Sequence, residues 1–432
     1  MKSASPQRIL LLITVLHGAT HLYTTMLAPL NTELKSYFGL TLDQDVTRIM
    51  SMYLAFYAFA NLMAGLLVAK ISSRVLLAAG PLINGLCVMG MYLLGPGDYA
   101  WIVALMALGA LGGGLYHPVA NLLLTKAFPD NKGRALGIAG IGACVAFIAG
   151  PWIGSILVNS GTCEWRTVCL IYGAYGVLCG LLAILLVPSD AEIASHPQAH
   201  APEALRQPET GETRAVFYYA AFLIMVVATR EMASWGTTSI TQQFCREAYG
   251  SSIDPGFLVA VIFVPGLIVQ PLAGKWSDKF GRERVLALAM LGMALSLLLI
   301  PLAPRGGVIA AYASLGAMMT ATVPTAEALL ADRAPLRLRG MIFGMVITAG
   351  IGLGALGPKL VGFVADAGHR TVEAYRNAYW SLAGLMVAGF VLALFLKPLA
   401  RMLNVERFGS LSAKRGREIP AESVSAGASA GN

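Results

Sequence analysis

Two histidines stand four residues apart in the stretch LHGATHLYTTML, residues 16–27. At that spacing His17 and His21 share one face of a helix, a turn apart, with Thr24 and Thr25 close by. A third histidine, His117, precedes Pro118 in YHPVA and lies one turn before Asn121. Arg230 and Glu231 are neighbours with Ser234 a turn on, and Glu327 stands in VPTAEALL. Imidazoles change charge in the physiological range, and a carboxyl group inside an apolar stretch can join them in a proton relay. His17, His21, His117 and Glu327 could therefore take up and release a proton per cycle. The three imidazoles with a carboxylate could equally hold a divalent transition metal. Arg230 would hold an anionic group or keep Glu327 ionised; its charge argues against a bare cation and for a chelated, anionic complex.

Each residue also has a plainer reading. His17, nearer a helix end, could do no more than bond a backbone carbonyl. His117 could cap a turn kinked by Pro118. Arg230 and Glu231 project about 100° apart on a helix, so at most one faces a cavity squarely. Glu327 is the hardest to explain by structure alone. Lys359 follows Pro358 and can snorkel to a membrane surface.

The elements that position these groups follow from composition. Of 432 residues 56% are hydrophobic and only 12% charged, with a mean hydropathy of +0.67. A soluble domain carries about 25% charged residues. Apolar segments recur at about 9–30, 48–69, 75–94, 100–125, 135–158, 167–187, 216–238, 256–274, 285–303, 307–330, 341–364 and 377–396. Each can cross a ~30 Å hydrocarbon core as a helix, and the alternation of a membrane β-barrel is absent. The first segment is too long and too polar inside for a signal peptide, so it counts as span 1. With both termini on one side, 22 Lys and Arg fall on that side and 7 on the other, which places the termini in the cytoplasm. The net charge of +8 thus reflects topology and does not point to nucleic acid.

The polar stretch 188–214, PSDAEIASHPQAHAPEALRQPETGETR, divides the spans six and six and reads as a cytoplasmic linker. His196 and His200, among its prolines, make a poor metal site. The Ser/Ala/Gly-rich tail, 401–432, reads as disordered. Six cysteines show no CxxC spacing and read as packing residues, a Cys163–Cys245 bond being the alternative on the outer side.

The halves repeat. HPVANLLLTKAFP (117–129) matches VPTAEALLADRAP (323–335) at an offset of 206, which pairs Asn121 with Glu327. Gly133, Gly137, Gly150 and Pro151 match Gly340, Gly344, Gly357 and Pro358, and Gly65 matches Gly274. The last offset also sets His21 against Arg230 and Thr20 against Thr229. Parallel six-helix repeats build alternating-access transporters, with the substrate held at their interface.

These landmarks carry a family resemblance. GKWSDKFGRERVL (274–286) resembles the G-x-x-x-D-x-x-G-R-[KR] gate motif of the major facilitator superfamily. The resemblance implies that Gly274 lets helices approach, that Asp278 accepts bonds from a neighbouring helix end, and that the basic residues Lys279, Arg282 and Arg284 latch the cytoplasmic gate, with Gly281 the motif's second glycine. GIAGIGACVAFIAGPWIG (137–154) resembles the superfamily's fifth-helix motif, commoner in exporters, and implies close packing with a kink at Pro151. The first-half gate loop GLLVAKISSRVLL (65–77) departs from the pattern at Ala69 and Ser72, and the fourth span lacks the arginine of many drug–proton antiporters. YHPVA and the histidines of span 1 resemble the fosmidomycin-resistance-type branch, whose histidine, His-Pro and arginine fall here on His17, His117 and Arg230. The run HGATHLYTTM is also similar to transporters of bacterial magnetosome membranes, thought to handle iron. Spans 1, 4, 7 and 10 line the cavity in the superfamily, and each carries a polar anchor here.

The sequence therefore predicts an all-α membrane protein with twelve transmembrane helices in two six-helix bundles, 1–187 and 215–400, and no enzyme. The function expected is proton-coupled secondary transport of a small anionic solute, with export favoured. Transport of iron or another transition metal, with His17, His21 and His117 as ligands, is the alternative. A non-transporting sensor or assembly factor is a third, supported only by the altered Gly65–Arg74 loop. No G-x-x-x-x-G-K-[ST] loop supports ATP-driven pumping. The expected partners are a small molecule or ion and the lipid bilayer, with no nucleic acid and no cofactor. The chain is expected as a monomer in a bacterial inner membrane or an intracellular magnetosome membrane.

Overall fold

The computed structural model describes residues 5–68, 70–128, 132–189, 210–334 and 336–406. Ala69, Pro129, Pro335, His196, His200, most of the expected linker and the tail beyond Glu406 lie outside the described residues. Twelve helical spans are long and apolar enough to cross a membrane: α1 (Pro6–Phe38), α2 (Asp43–Leu67), α3 (Ser73–Leu93), α4 (Tyr99–Leu124), α5 (Ala135–Asn159), α6 (Trp165–Leu186), α7 (Gly211–Ser252), α8 (Pro255–Phe280), α9 (Arg282–Leu302), α10 (Val308–Leu330), α11 (Met341–Ala367) and α12 (Val372–Met402). The described residues contain no strand. Helices dominate because lipid offers backbone groups no partner, so each segment must bond to itself. The number of spans is even, so both ends of the described chain lie at one face, called here the terminus face; the opposite one is the far face.

The spans start on local chemistry. Ser5 caps α1 through the Arg8 amide, with Pro6 at the first helical position, and Asp254 caps α8 through the Phe257 amide at 2.7 Å, followed by Pro255. Three interruptions matter for function. The first helix of α1 stops at Thr25, and a short helix, Asn31–Phe38, resumes at the far face after a turn holding Pro29. The helix of α4 stops at Gly113 and restarts at Tyr116, which turns His117 toward α1. The helix of α11 stops at Gly354 and restarts at Leu356, two residues before Pro358. Its counterpart α5 stays one helix through Pro151, so within this pair only the second-half helix is broken.

Small residues set the helix crossings. A Cβ on Gly18 would stand 3.1 Å from the Gly142 carbonyl oxygen, and one on Gly150 would stand 2.9 Å from that of Leu22, so α5 lies directly on α1. In the second half a Cβ on Gly357 would collide with the Met232 carbonyl, which lays α11 on α7 in the same way. The repeat read from Gly150 and Gly357 thus corresponds to one packing role used twice. Gly274 differs from expectation: a Cβ there meets nothing within 4 Å among the described residues, so it makes no close helix approach in this arrangement. The thiols of Cys163 and Cys245 are free, and that of Cys245 donates to the Ile253 carbonyl at 3.4 Å.

Two bundles meet along α2 with α11 and α5 with α8. Apolar side chains cross that seam both ways: Phe147 and Ile148 join the core of the second half, while Trp235, Ile351 and Ala355 join the first. Large exposed apolar residues such as Leu185, Ile268 and Leu288 cover the outside, where lipid replaces a protein partner.

Candidate functional site

Three histidines from two helices converge in the first half. His21 Nε2 lies 3.2 Å from His117 Nε2, and the ligand nitrogens of His17, His21 and His117 all fall within 4.8 Å of one another. His17 Nδ1 bonds the Ala139 carbonyl oxygen of α5 at 2.8 Å, as the plainer reading of His17 has it. Its other nitrogen, Nε2, is buried with no partner, and so is His21 Nδ1. The rings are fixed from the sides. Tyr116 stacks on His17 at 4.6 Å and holds α1 through the Ile13 carbonyl at 2.8 Å. Phe147 lies 4.8 Å from the His21 ring and bridges to Phe263 of α8 at 4.6 Å. The buried Tyr57 and Asn61 of α2 leave a hydroxyl and an amide nitrogen unpartnered. None of Tyr57, Asn61 or Phe147 was singled out by the sequence reading.

The second half carries the charges. Arg230 and Glu231 form an ion pair with each other, both mostly buried. The 100° projection fails as a guide because two long side chains can fold toward one another along the helix. Arg230 Nε also donates to Thr322 Oγ1 of α10 at 3.1 Å. Glu231 packs against Gly354 of α11, where a glycine Cβ would stand 2.7 Å from its own Cβ, and a Cβ on Gly350 would collide with Val227, one turn before Glu231. Thr322 lies next to the repeat position of His117, so each half ties its first helix to its fourth at matching depth: His21 to His117, Arg230 to Thr322. Glu327 and its repeat partner Asn121 both lie on exposed positions within their spans. The Arg230 charge reaches the Glu327 carboxylate electrostatically. Glu327 sits six residues before the helix end at Arg333, roughly 9 Å from it along the axis, on the terminus-face side.

The gate motif sits at the terminus face. Gly281 has φ +94°, a conformation that favours glycine, and ends the α8 helix. Arg282 is the hub. It pairs with Asp278 at 2.8 Å and with Asp332 of the α10 helix, and donates to Ser277 Oγ at 3.1 Å. Glu283 accepts from Arg333 at 2.5 Å, and Arg284 is exposed. The partners of Arg282 all belong to the second half, so here the motif braces that half internally. In the first half Ser72 replaces the glycine and caps α3 through the Val75 amide, and Arg74 donates to the Val187 carbonyl at 2.6 Å. Asp278 is 64% exposed and Arg282 21%. Arg282→Gln should therefore lower the melting temperature in detergent by an amount equivalent to about 1 kcal/mol, and Asp278→Asn by a few tenths. Equal losses would remove Arg282 as the hub.

Hydrogen bonds between the halves concentrate at the far face, at residues the sequence reading passed over. Asn31 donates to the Ser239 carbonyl and the Thr32 amide to Gln242, both at 2.7 Å; Glu33 accepts from Gln242 at 2.7 Å and pairs with Arg246. Asp366 of α11 accepts the amides of Asp43 and Gln44 at 2.8 and 2.9 Å, and Tyr375 donates to Asp43 at 2.7 Å. Asp254 accepts from Ser155 and Asn159 at 2.8 and 2.9 Å. The far face is closed.

Two matching bundles with a polar band at their junction and one sealed face have the architecture of an alternating-access membrane transporter. The sequence pattern of the Major Facilitator Superfamily matches residues 12–252 and 223–418, and the chain belongs to that superfamily. It is 27% identical over 310 residues to multidrug resistance protein MdtG of Escherichia coli O6:K15:H31, covering 68% of this chain and 71% of the relative. It is 28% identical over 268 residues to the MdtG of Rahnella sp. strain Y9602, covering 59% and 60%. In fold it is similar to a bacterial homolog of the human lysosomal transporter Spinster in an inward-facing, unoccupied conformation, with a TM-score of 0.71, 15% identity and 95% and 99% of the two chains covered. A bacterial homologue of the human drug peptide transporters PepT1 and PepT2 superposes with a TM-score of 0.69 at 16% identity, covering 93% and 100%.

Proposed function

We propose that the protein is a proton-coupled secondary transporter of a bacterial inner membrane, with both termini in the cytoplasm, that exports a small solute. The observation that carries this reading is Glu327. It is a carboxylate exposed inside a span, in the field of Arg230, while Glu231 already compensates that arginine. A proton and a cationic group both neutralise the same carboxylate, so each excludes the other. Mutual exclusion at one site is the physical condition for exchange, and by linkage it acts equally in both directions. The relatives named for multidrug resistance and the Gly-Pro motif of α5 favour the outward direction.

The ion pair changes the solute expected from sequence. An anion would have to displace Glu231 to reach Arg230, so a neutral or cationic solute fits the cavity better. A transition metal is the specific second reading, favoured by the three convergent imidazoles. The resemblance to magnetosome-membrane transporters agrees with it.

Inverted vesicles test the reading. With the interior acid, protons leave as solute enters, so organic cations or Co2+ should accumulate and dissipation of the pH gradient should release them. Accumulation of organic anions instead would restore the anionic solute. No gradient-driven flux across the panel would favour a sensor or assembly role.

A further inference from the structure

We infer that the His17–His21–His117 cluster is a binding site for a divalent transition-metal ion that the protein carries as cargo. The direction of carriage rests on the exchange reading above; the site rests on the cluster alone. Metal–imidazole bonds of 2.0–2.1 Å set neighbouring ligand nitrogens about 3.4 Å apart around a tetrahedral ion. His21 Nε2 and His117 Nε2 already stand at 3.2 Å, and the set of three lies within 4.8 Å. A shift of His17 by about 1 Å or a little more, within a side-chain adjustment, completes the triangle.

A second observation points the same way. Metal-binding histidines usually donate their other ring N–H to a carbonyl or carboxylate, which fixes the tautomer and aims the lone pair. His17 Nδ1 lies 2.8 Å from the Ala139 carbonyl oxygen, an acceptor only, so Nδ1 carries the hydrogen. The lone pair then lies on Nε2, which is buried and has no partner. A purely structural histidine at this place would leave that nitrogen toward solvent or a donor. Stacking of Tyr116 fixes the same ring plane.

The ligand set suits passage more than residence. Three neutral nitrogens leave a fourth position open, unlike the four-ligand closure of structural zinc sites. They also leave the ion's charge uncompensated, which limits affinity and allows release. All three ligands come from α1 and α4 of one bundle. The site can therefore move with that bundle as the halves rock, with no ligand torn away. The objection raised by Arg230 is met by Glu231, which pairs with it.

Equilibrium binding of Co2+ to the full-length protein, purified without a histidine tag, tests the site. The visible absorption of bound Co2+ should saturate at one ion per chain. His21→Gln and His117→Gln should each weaken binding by about 10- to 100-fold or more, while His369→Gln, outside the cluster, should leave it unchanged. X-ray absorption of the wild-type complex should count three imidazole nitrogens, which keeps the site testable if a variant folds poorly. No stoichiometric Co2+, fewer than two imidazoles, or full affinity in the His21→Gln/His117→Gln protein would overturn the site. Wild-type vesicles that bind Co2+ but exchange none across the membrane would overturn the cargo role. Binding is read without a pH gradient, so it stands or falls separately from proton coupling.

Discussion

Replacing Glu327 by Gln should abolish accumulation driven by a pH gradient. It should also weaken exchange of a cationic solute at equal pH, because the carboxylate that takes the proton also faces the cation, while a neutral solute still exchanges. Gln keeps the volume and most hydrogen bonding of Glu327 but neither titrates nor bears charge. For one proton exchanged per charge, each pH unit is worth about 1.4 kcal/mol, or a tenfold accumulation ratio. The expected change is thus from about tenfold per pH unit to none, with Glu327→Asp retaining a part. Glu231→Gln should behave differently. It leaves Arg230, with a side chain only 15% exposed, without its counter-ion, and breaking such a pair costs about 3–5 kcal/mol. Its first effect should be on folded yield, with coupling per folded molecule retained. Gradient-driven accumulation that survives Glu327→Gln would take Glu327 out of the mechanism.

The asymmetry between these two glutamates was only half legible in the sequence. Both are charged residues inside apolar spans, and that alone marked them. Their adjacency to an arginine, or lack of it, did not say which would be paired, because helix projection ignores how far a long side chain can bend. The spans themselves were legible because hydropathy over some twenty residues reports one strong physical demand. The duplicated landmarks predicted matching packing, and Gly150 and Gly357 carry it on α1 and α7. His17 and His21 were expected on one face, but their meeting with His117 depends on the break in α4 after Gly113, which hydropathy does not register. The far-face latch went unseen because Asn31, Asp43 and Asp366 read as ordinary polar residues at span ends. One signal was available: after the apolar run of span 7 ends near 238, no Gly or Pro interrupts the chain until Gly250, so the helix carrying Gln242, Gln243 and Arg246 had to continue.

That latch yields the other large expected effect. The residue before α2, Leu42, has no side chain that can cap its helix. The first two amides of α2 donate instead to Asp366, a carboxylate of the opposite bundle, at 2.8 and 2.9 Å. A helix N-terminus favours an anion, and charge-assisted bonds to one are worth about 1.5–3 kcal/mol each. The cap exists only while the halves touch, so its energy belongs wholly to the closed far face and is lost to water when that face opens. Asp43 reinforces it: its fully buried carboxylate accepts from Lys35 at 2.5 Å and from Tyr375 at 2.7 Å. Asp366→Ala should therefore shift the population toward an open far face by roughly 10- to 100-fold, after water recovers part of the loss. Asp366→Asn, which still accepts but lacks the charge, should shift it less. Spin labels at residues 97 and 306, exposed positions of the far face in opposite halves, would read the change as a longer distance component. The Glu33–Arg246 pair links α1 to α7 without capping a helix, and side-chain entropy and solvent offset much of its attraction, so Glu33→Gln should move the same distance distribution by a smaller fraction. If Asp366→Ala leaves that distribution unchanged, the borrowed cap holds no part of the gate's free energy.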